Sequence, residues 1–424
     1  MATCQRVTWV PEIRVGCFWT NWKSIVMSTK TGPSMLEDGM ADTTPYPLGL
    51  TVSHAEGIWI HLDDGRRLAD LISGIGVSSF GHAHPEINDA IHAQVDQHLH
   101  TMVYGEFRQQ AQLEASQQLF NLLPDSLDAV YYVNSGAEAI EGAIKLARRT
   151  TGRKRILSVR GGYHGNTAGA LAVSGNEARK APFLPLLPEV GFLDWNVMDV
   201  FDSIDASCAA VLVETIQGDA GVRIPSQIWL QTLRERCTEV GAMLILDEIQ
   251  CGMGRTGLPF AFEHFGIEPD MLCLGKALGG GMPMGAFVSS KSHMRKLSMQ
   301  PKLGHITTFG GHPVSCAASA VACQLVSNLD AQAIERKGQM MEDALIQMPF
   351  VQAVRRMGLF IAVDLDEPAR VQAAVDRCLN EELLIFYFLS VPASFRLAPP
   401  LTISEDEVVW AMNRLHGVLK SLHD

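Results

Sequence analysis

Residues 271–281 read Met-Leu-Cys-Leu-Gly-Lys-Ala-Leu-Gly-Gly-Gly, a short apolar run that leads into a lysine and a glycine-rich turn. The first four residues are typical of a β-strand that is buried on both faces of a sheet. Lys276 follows at the carboxyl end of that strand. A lysine in this position can have its pKa lowered by partial burial, which favours imine formation with a carbonyl compound. A solvated loop lysine is the simpler alternative for this residue on its own.

Similar apolar runs occur along the middle of the chain, separated by stretches with helical periodicity. They cover residues 129–133, 155–159, 209–213 and 242–246. Because uninterrupted runs of this length are typical of strands with helices on both faces, they predict an α/β fold with a mainly parallel sheet. Residues 285–289 are expected to add a strand, and the short connection before them allows an antiparallel strand at the edge of the sheet.

The pattern changes on both sides of this region and predicts a division into domains. Residues 57–61 and 67–72 are typical of a β-hairpin with Asp63-Asp64-Gly65 as its turn. From about residue 324 the chain becomes helical and amphipathic, and strand-like pieces return near its end. We therefore predict an N-terminal extension at residues 1–34 and a segment at residues 35–78 that joins the small domain. A large domain follows at residues 79–323, and a smaller α+β domain at residues 324–424.

The composition argues against several classes of protein. The 424 residues include 46 acidic and 34 basic side chains, for a formal net charge of −12, without a Lys/Arg-rich run that would bind nucleic acid. No window of about 18 apolar residues predicts a membrane span. The nine cysteines have no Cys-x-x-Cys or His-flanked spacing, which favours reduced thiols in a cytoplasmic protein and predicts no metal site. Residues 1–34 lack the apolar core and cleavage site of a signal peptide.

A chemically distinctive segment follows the run at residues 129–133. It reads Asn134-Ser135-Gly136-Ala137-Glu138-Ala139 and leads into a predicted helix. Free backbone N–H groups at a helix N-terminus, next to a small hydroxyl and a glycine, form an anion site that suits a phosphate. A serine N-cap without any ligand is the alternative.

An acidic residue ends the run at residues 242–246, where the chain continues Asp247-Glu248-Ile249-Gln250. An acidic side chain that leaves a buried strand needs a cationic partner, unless it caps a helix or binds a metal. Ligands of open α/β sheets lie at the carboxyl ends of the strands, so Asp247 and Lys276 are expected to meet the phosphate turn. A phosphate cradle, an acid and a lysine are the contacts that a pyridine aldehyde phosphate requires.

With these motifs in this order and spacing, the chain resembles the class-III aminotransferases of pyridoxal 5′-phosphate (PLP) fold type I, which include the ornithine, acetylornithine and 4-aminobutyrate enzymes. The resemblance covers roughly residues 50–404. It implies a large domain with a mainly parallel sheet flanked by helices, a smaller α+β domain and PLP as the cofactor. It also implies a homodimer with shared active sites, because Thr308 matches a residue that reaches the phosphate of the neighbouring subunit.

Position by position, the resemblance implies roles in holding the cofactor. Lys276 matches the lysine that forms the Schiff base, and Asp247 matches the acid that pairs with the protonated ring nitrogen. Tyr163, in Gly162-Tyr163-His164-Gly165, matches the aromatic side chain that stacks on the ring. Ser135, Gly136 and Ala137 match the phosphate-binding turn. Glu214 matches a supporting carboxylate, and Gln250 matches the amide near the ring hydroxyl.

Two further matches concern the substrate. Arg396, in Phe395-Arg396-Leu397-Ala398-Pro399, resembles an arginine that binds a substrate carboxylate through both oxygens, with a surface arginine as the alternative. Relatives typically have Glu at the position of Asp219, in Gln217-Gly218-Asp219. In ω-aminotransferases that Glu masks the arginine while the amine donor is bound and releases it for 2-oxoglutarate. Asp219 is one methylene shorter, and we expect it not to reach Arg396.

The resemblance implies a ping-pong transfer through pyridoxamine phosphate, in which Lys276 acts as general base and acid. The expected donor is a diamino or ω-amino acid of the ornithine or acetylornithine type, and the expected acceptor is a 2-oxo acid such as 2-oxoglutarate. An aminomutase or a decarboxylating transaminase is an alternative, although Tyr163 stands where some decarboxylating relatives have Trp. A non-catalytic binding protein of the same fold is a more distant alternative, and intact Asp247, Lys276 and Thr308 argue against it.

Overall fold

The computed structural model describes residue 36, residues 39–44 and residues 47–423. The extension predicted at residues 1–34 lies outside these residues. Leu50–Asp424 form one compact unit. The division of this unit after residues 78 and 323 stays a prediction.

A seven-stranded sheet forms the centre of the compact unit. In spatial order its strands are Ala129–Val133, Gly285–Ser289, Met271–Gly275, Met243–Asp247, Cys208–Glu214, Arg155–Val159 and Val190–Leu193. The last five strands run parallel to one another, and Gly285–Ser289 is antiparallel to both of its neighbours. The predicted α/β fold with a mainly parallel sheet is confirmed.

The position of Gly285–Ser289 differs from the prediction. The strand is antiparallel, but it lies inside the sheet, and Ala129–Val133 forms the edge. All five residues of Gly285–Ser289 are buried, and at an edge one row of their backbone N–H and C=O groups would lack partners. Gly285 also packs against the turn at residues 135–137, because a Cβ at this position would lie 2.1 Å from the carbonyl oxygen of Ser135. The apolar pattern does not predict the strand Val190–Leu193, which a glycine interrupts.

Helices cover both faces of the central sheet. The helices of eight or more residues in the compact unit are Pro85–Gln97, Gln110–Phe120, Gly136–Thr151, Gln227–Val240, Pro313–Ser327, Ala331–Leu345, Pro368–Cys378 and Glu405–Lys420, and shorter ones include Ala168–Val173, Glu177–Lys180 and Lys291–Met294. The last three long helices pack on one another and on strands outside the central sheet. In the strand Cys208–Glu214, Val213 packs into the apolar cluster of Gln227–Val240, and Leu212 packs into that of Gly136–Thr151. This two-sided burial explains why the strand has no polar alternation. No helix among the described residues is long and apolar enough to cross a bilayer.

Two smaller sheets accompany the central one. The first contains Val52–Glu56, Trp59–Leu62, Arg67–Asp70 and Leu383–Leu384, and the second contains Val351–Met357, Phe360–Leu365, Ser394–Leu397 and Phe386–Tyr387. Trp59–Leu62 and Arg67–Asp70 form the predicted antiparallel hairpin. Leu383–Leu384 pairs in parallel with Arg67–Asp70, so residues from both ends of the compact unit share one sheet.

Candidate active site

Three neighbouring strands of the central sheet end at one cavity. Their register pairs Glu214 with Asp247, and Asp247 with Cys273, three residues before Lys276. Glu214, Asp247 and Lys276 therefore leave the sheet side by side at its carboxyl edge. They line a cavity of about 220 Å³ together with four other residues predicted for the site, Gly136, Ala137, Tyr163 and Gln250.

Lys276 lies in a constrained environment at this edge. Its φ of 47° falls in the left-handed region, which is costly for a lysine and is retained where the surrounding structure fixes a residue. A Cβ at Gly76 would lie 3.9 Å from Lys276 Cδ, so the backbone at Gly76 closes one side of the lysine. Burial lowers the pKa of the Lys276 amine, Asp247 opposes this shift and Arg396 adds to it. The neutral amine is therefore more accessible than in a solvated loop lysine, as a nucleophile or proton acceptor requires.

Asp247 is held by a buried histidine. Its Oδ2 lies 2.7 Å from Nδ1 of His164, and its Oδ1 accepts a hydrogen bond from the backbone N–H of Ile249 at 3.0 Å. Nε2 of His164 lies 3.4 Å from Oγ of Ser158. His164 thus provides the partner that a buried carboxylate needs. The sequence motif around Tyr163 contains His164, but on its own it assigns a role only to the aromatic residue.

Glu214 fixes two backbone segments that border the cavity. Its Oε2 accepts a hydrogen bond from the N–H of Tyr163, and its Oε1 accepts one from the N–H of Gly218, each at 3.0 Å. Burial raises the pKa of Glu214 to about 7, while the neighbouring His164 favours the ionised form. Glu214 therefore positions both Tyr163 and the segment that leads to Asp219.

The start of the helix Gly136–Thr151 forms an anion cradle. Ser135 is the N-cap, and its Oγ accepts a hydrogen bond from the N–H of Glu138 at 3.2 Å. A Cβ at Gly165 would lie 2.7 Å from the Cβ of Ala137, so a glycine is needed where the two segments meet. The N–H groups of Gly136 and Ala137, in the first helical turn, lack helical partners, and both residues line the cavity. A phosphate fits this end of the cavity, because these N–H groups and the positive end of the helix dipole attract it.

Thr308 is exposed and is not among the described residues that line the cavity. The turn that carries it is anchored by Thr307, whose Oγ1 accepts hydrogen bonds from Nδ2 of Asn134 at 3.3 Å and from the N–H of Gly310 at 3.2 Å. Asn134 directly precedes the phosphate turn. A role of Thr308 toward a second subunit stays a prediction.

The expectation that Asp219 does not reach Arg396 is wrong. Nη2 of Arg396 donates a hydrogen bond to Oδ1 of Asp219 at 3.2 Å, and Oγ of Ser390 donates one to Oδ2 of Asp219 at 2.7 Å. The backbone makes up for the missing methylene, because Glu214 fixes the residue before Asp219 and the strand Ser394–Leu397 carries Arg396 inward. Arg396 is only 6% exposed, which rules out a surface arginine.

Arg396 retains a free donor in this buried position. Its guanidinium lies over the ring of Phe388, 4.4 Å from the ring centre. Its Nε is buried and has no hydrogen-bond partner among the described residues. Burial lowers the pKa of Arg396, and Asp219 opposes the shift. A buried guanidinium with an unpaired N–H is suited to a carboxylate ligand.

A family model described as Aminotransferase class-III matches residues 40–419. The chain belongs to the class-III aminotransferases. The seven-stranded sheet is therefore the central sheet of PLP fold type I, and the protein is a PLP-dependent aminotransferase.

Individual relatives agree with this family. The chain is 39% identical to an acetylornithine aminotransferase of Methanopyrus kandleri, over 89% of this chain and 95% of the relative. It is 34% identical to a putrescine aminotransferase of Pectobacterium atrosepticum, over 92% and 87% of the two chains. A solved structure of the ornithine aminotransferase from Toxoplasma gondii, with partially occupied PLP, has a TM-score of 0.84 at 27% identity and covers 92% of this chain and 93% of that chain.

The residues of this class-III aminotransferase fit PLP. The helix start at residues 135–137 suits the phosphate, Asp247 suits a protonated ring nitrogen, and Lys276 suits the aldehyde. When bound, PLP supplies a carbonyl that takes up an amino group and a ring that withdraws electrons from the bond that breaks. The roles of single residues stay predictions that variants test.

Proposed function

We propose that this aminotransferase moves an amino group from a diamino or ω-amino acid, of the ornithine or acetylornithine type, to a 2-oxo acid such as 2-oxoglutarate. The proposed mechanism is a ping-pong transfer in two half-reactions, in which the same site binds the amine donor first and the 2-oxo acid afterwards. The observation that carries the proposal is the buried ion pair of Asp219 and Arg396 at 3.2 Å. Such a pair lets one pocket accept a substrate end with a carboxylate and a substrate end without one.

Arg396 presents a different charge to the substrate in the closed and open states of the pair. When it is closed, Asp219 neutralises Arg396, and an uncharged substrate end meets no isolated buried cation. When it is open, a substrate carboxylate replaces Asp219 and also gains the unpaired Nε of Arg396. Ser390 donates to the other oxygen of Asp219, so the displaced carboxylate keeps a hydrogen-bond donor.

Lys276 is proposed to move the proton in each half-reaction. Because burial lowers its pKa, Nζ is available as a neutral base that takes a proton from the carbon bearing the amino group. Asp247, held by His164, would supply a fixed negative charge to the ring nitrogen of the cofactor. Electrostatic groups that are fixed before the reaction stabilise the charge that develops as the C–H bond breaks.

We also propose a homodimer with shared active sites and a cytoplasmic location. Thr308 is exposed, and the nearby apolar side chains of Ile306 and Phe309 are each 56% exposed. Exposed apolar side chains that cluster on a surface favour a protein partner. All seven cysteines of the described residues are free and buried, as is common in proteins of a reducing compartment.

A panel of amine donors tests the proposed substrates. The holoenzyme is given acetylornithine, ornithine, 4-aminobutyrate or putrescine with 2-oxoglutarate, and glutamate formation is measured. We expect the diamino and ω-amino acids to have the highest kcat/KM. If none of these donors yields glutamate, the proposed function is wrong.

A diamine donor without a carboxylate, such as putrescine, is the second candidate. The closed Asp219–Arg396 pair favours it, because Arg396 then offers no uncompensated charge to a donor carboxylate. Similarity to both an acetylornithine and a putrescine aminotransferase is consistent with either donor class. A higher kcat/KM for putrescine than for every amino acid donor would select this candidate.

A further inference from the structure

A second arginine, Arg179, lies beside the cavity. It belongs to the short helix Glu177–Lys180, and its guanidinium carbon is 5.5 Å from the ring centre of Tyr163, which lines the cavity. The residue is only partly exposed. Arg179 does not line the cavity itself, but its guanidinium contacts the aromatic side chain that does and that is predicted to contact the cofactor.

The segment with Arg179 is attached to the Asp219–Arg396 pair. Asn176 caps the short helix with its side-chain oxygen, and its Nδ2 donates a hydrogen bond to Oγ of Ser390 at 3.4 Å. Ser390 in turn donates a hydrogen bond to Asp219 at 2.7 Å. This chain of side chains fixes the helix next to the proposed carboxylate site.

Arg179 has no acidic partner of its own. Its guanidinium forms no ion pair with any described residue, whereas the adjacent Lys180 pairs with Glu177 at 2.7 Å. The charge of Arg179 contributes to lowering the pKa of Arg396, although burial is the larger cause and Asp219 opposes both. Two guanidinium groups are therefore close enough to influence each other. Only that of Arg396 is paired with an acidic side chain of the described residues, Asp219.

We propose that Arg179 binds the second carboxylate of a dicarboxylic 2-oxo acid and, together with Arg396, selects dicarboxylates over monocarboxylates. When a substrate carboxylate has displaced Asp219 from Arg396, a second carboxylate pairs with the unpartnered guanidinium of Arg179. Guanidinium groups suit this role because they bind both oxygens of a carboxylate. The inference rests on the proposed function, since it concerns the acceptor of the same site.

Binding of unreactive acids tests Arg179 without turnover. Glutarate and butyrate, which have two carboxylates and one carboxylate, are titrated into holoenzyme while the absorbance of the bound cofactor is followed. Arg179→Gln should weaken glutarate at least about tenfold and leave butyrate within about twofold, because one charge pair is lost only for the diacid. Arg179→Lys should recover part of the loss.

Arg160→Gln is the matched control. It removes the same charge from an exposed arginine, whose Nε pairs with Asp194 at 3.1 Å, and should change neither acid. Arg179 makes no side-chain hydrogen bond to the described residues, so its variant should keep the thermal midpoint of the wild type.

Steady-state kinetics distinguish the role of Arg179 from the proposed function of the enzyme. In Arg179→Gln the KM for 2-oxoglutarate should rise at least about tenfold, while the KM for pyruvate stays within about twofold. Equal effects on both acids, or no effect on either, would overturn the role of Arg179. Failure of wild-type enzyme to use any 2-oxo acid would instead overturn the proposed function, whatever the variant does.

Discussion

Asp219 contacts Arg396 through one oxygen of its carboxylate, with 3.2 Å between Oδ1 and Nη2. Ser390 occupies the other oxygen. A bidentate pair of carboxylate and guanidinium would hold the two side chains more firmly. The single contact is suited to an ion pair that opens and closes as donor and acceptor alternate.

Asp219→Asn should shift the enzyme toward substrates with a carboxylate. Asparagine keeps the size of the side chain but not the charge that neutralises Arg396. We expect the KM for 2-oxoglutarate to fall, and kcat/KM for putrescine to fall by the equivalent of about 1.5–3 kcal/mol, the range for a hydrogen bond to a charged group. Steady-state kinetics with both substrates measure this. Asp219→Glu is the control that keeps the charge, and an unchanged donor ranking in Asp219→Asn would contradict the switch.

Lys276→Ala should lower the rate of transfer by at least about 10²–10⁴-fold, the usual contribution of a general base. The phosphate cradle and Asp247 remain, so the variant should still bind PLP. Borohydride treatment of wild-type holoenzyme should attach the cofactor to Lys276, which peptide mass spectrometry locates. Lys291→Ala, on the surface, should retain activity and labelling. Attachment to any other lysine would refute the assignment.

The sequence predicts the strand ends well, because buried parallel strands are uninterrupted apolar runs and the residue after each run is easily found. Asp247 and Lys276 follow from this pattern, Glu214 follows from the family resemblance, and all three meet at one cavity. Contacts between distant segments do not follow from it. The reach of Asp219 to Arg396, 177 positions apart, depends on two backbone paths that no local pattern specifies. The contact of His164 with Asp247 spans 83 positions and cannot be predicted from the local sequence for the same reason.

His164→Ala should reduce kcat while the KM for the donor stays within a few-fold. The substitution leaves the buried Asp247 without its side-chain partner, and we expect a loss of about 1–3 kcal/mol of transition-state stabilisation. Rapid-reaction kinetics with saturating donor measure the chemical step. His164→Asn can still donate an N–H and should recover part of the rate. A wild-type rate in His164→Ala would mean that Ile249 alone holds Asp247 sufficiently.

Mixed dimers test the proposed sharing of sites. Thr308→Glu should repel the phosphate of the site it serves, and Lys276→Ala inactivates its own site. If Thr308 acts across the dimer, each mixed dimer has one intact site, and mixing equal amounts should restore about a quarter of wild-type activity. Recombined single-variant samples serve as controls and should stay inactive. An active monomer in sedimentation velocity, or no recovery on mixing, would contradict the arrangement.

The pKa of Lys276 in the apoenzyme should move in opposite directions in two variants. Burial lowers this pKa, Asp247 opposes the shift and Arg396 adds to it. Arg396→Gln removes a cation and leaves Asp219 unpaired, and both changes favour the charged ammonium, so the pKa should rise. Asp247→Asn removes an anion that favours the ammonium, so the pKa should fall further below its ordinary value.

The rate at which trinitrobenzenesulfonate labels Lys276 reports the neutral amine, and mass spectrometry of the peptide follows it against pH. The midpoint should lie at higher pH in Arg396→Gln than in wild type, and at lower pH in Asp247→Asn. Lys291, exposed on the surface, provides an internal reference whose midpoint should not change. Opposite signs are decisive, because a general loosening of the cavity would admit water and raise the pKa of a buried lysine in both variants. A shift of the same sign in both would show that burial alone controls the amine.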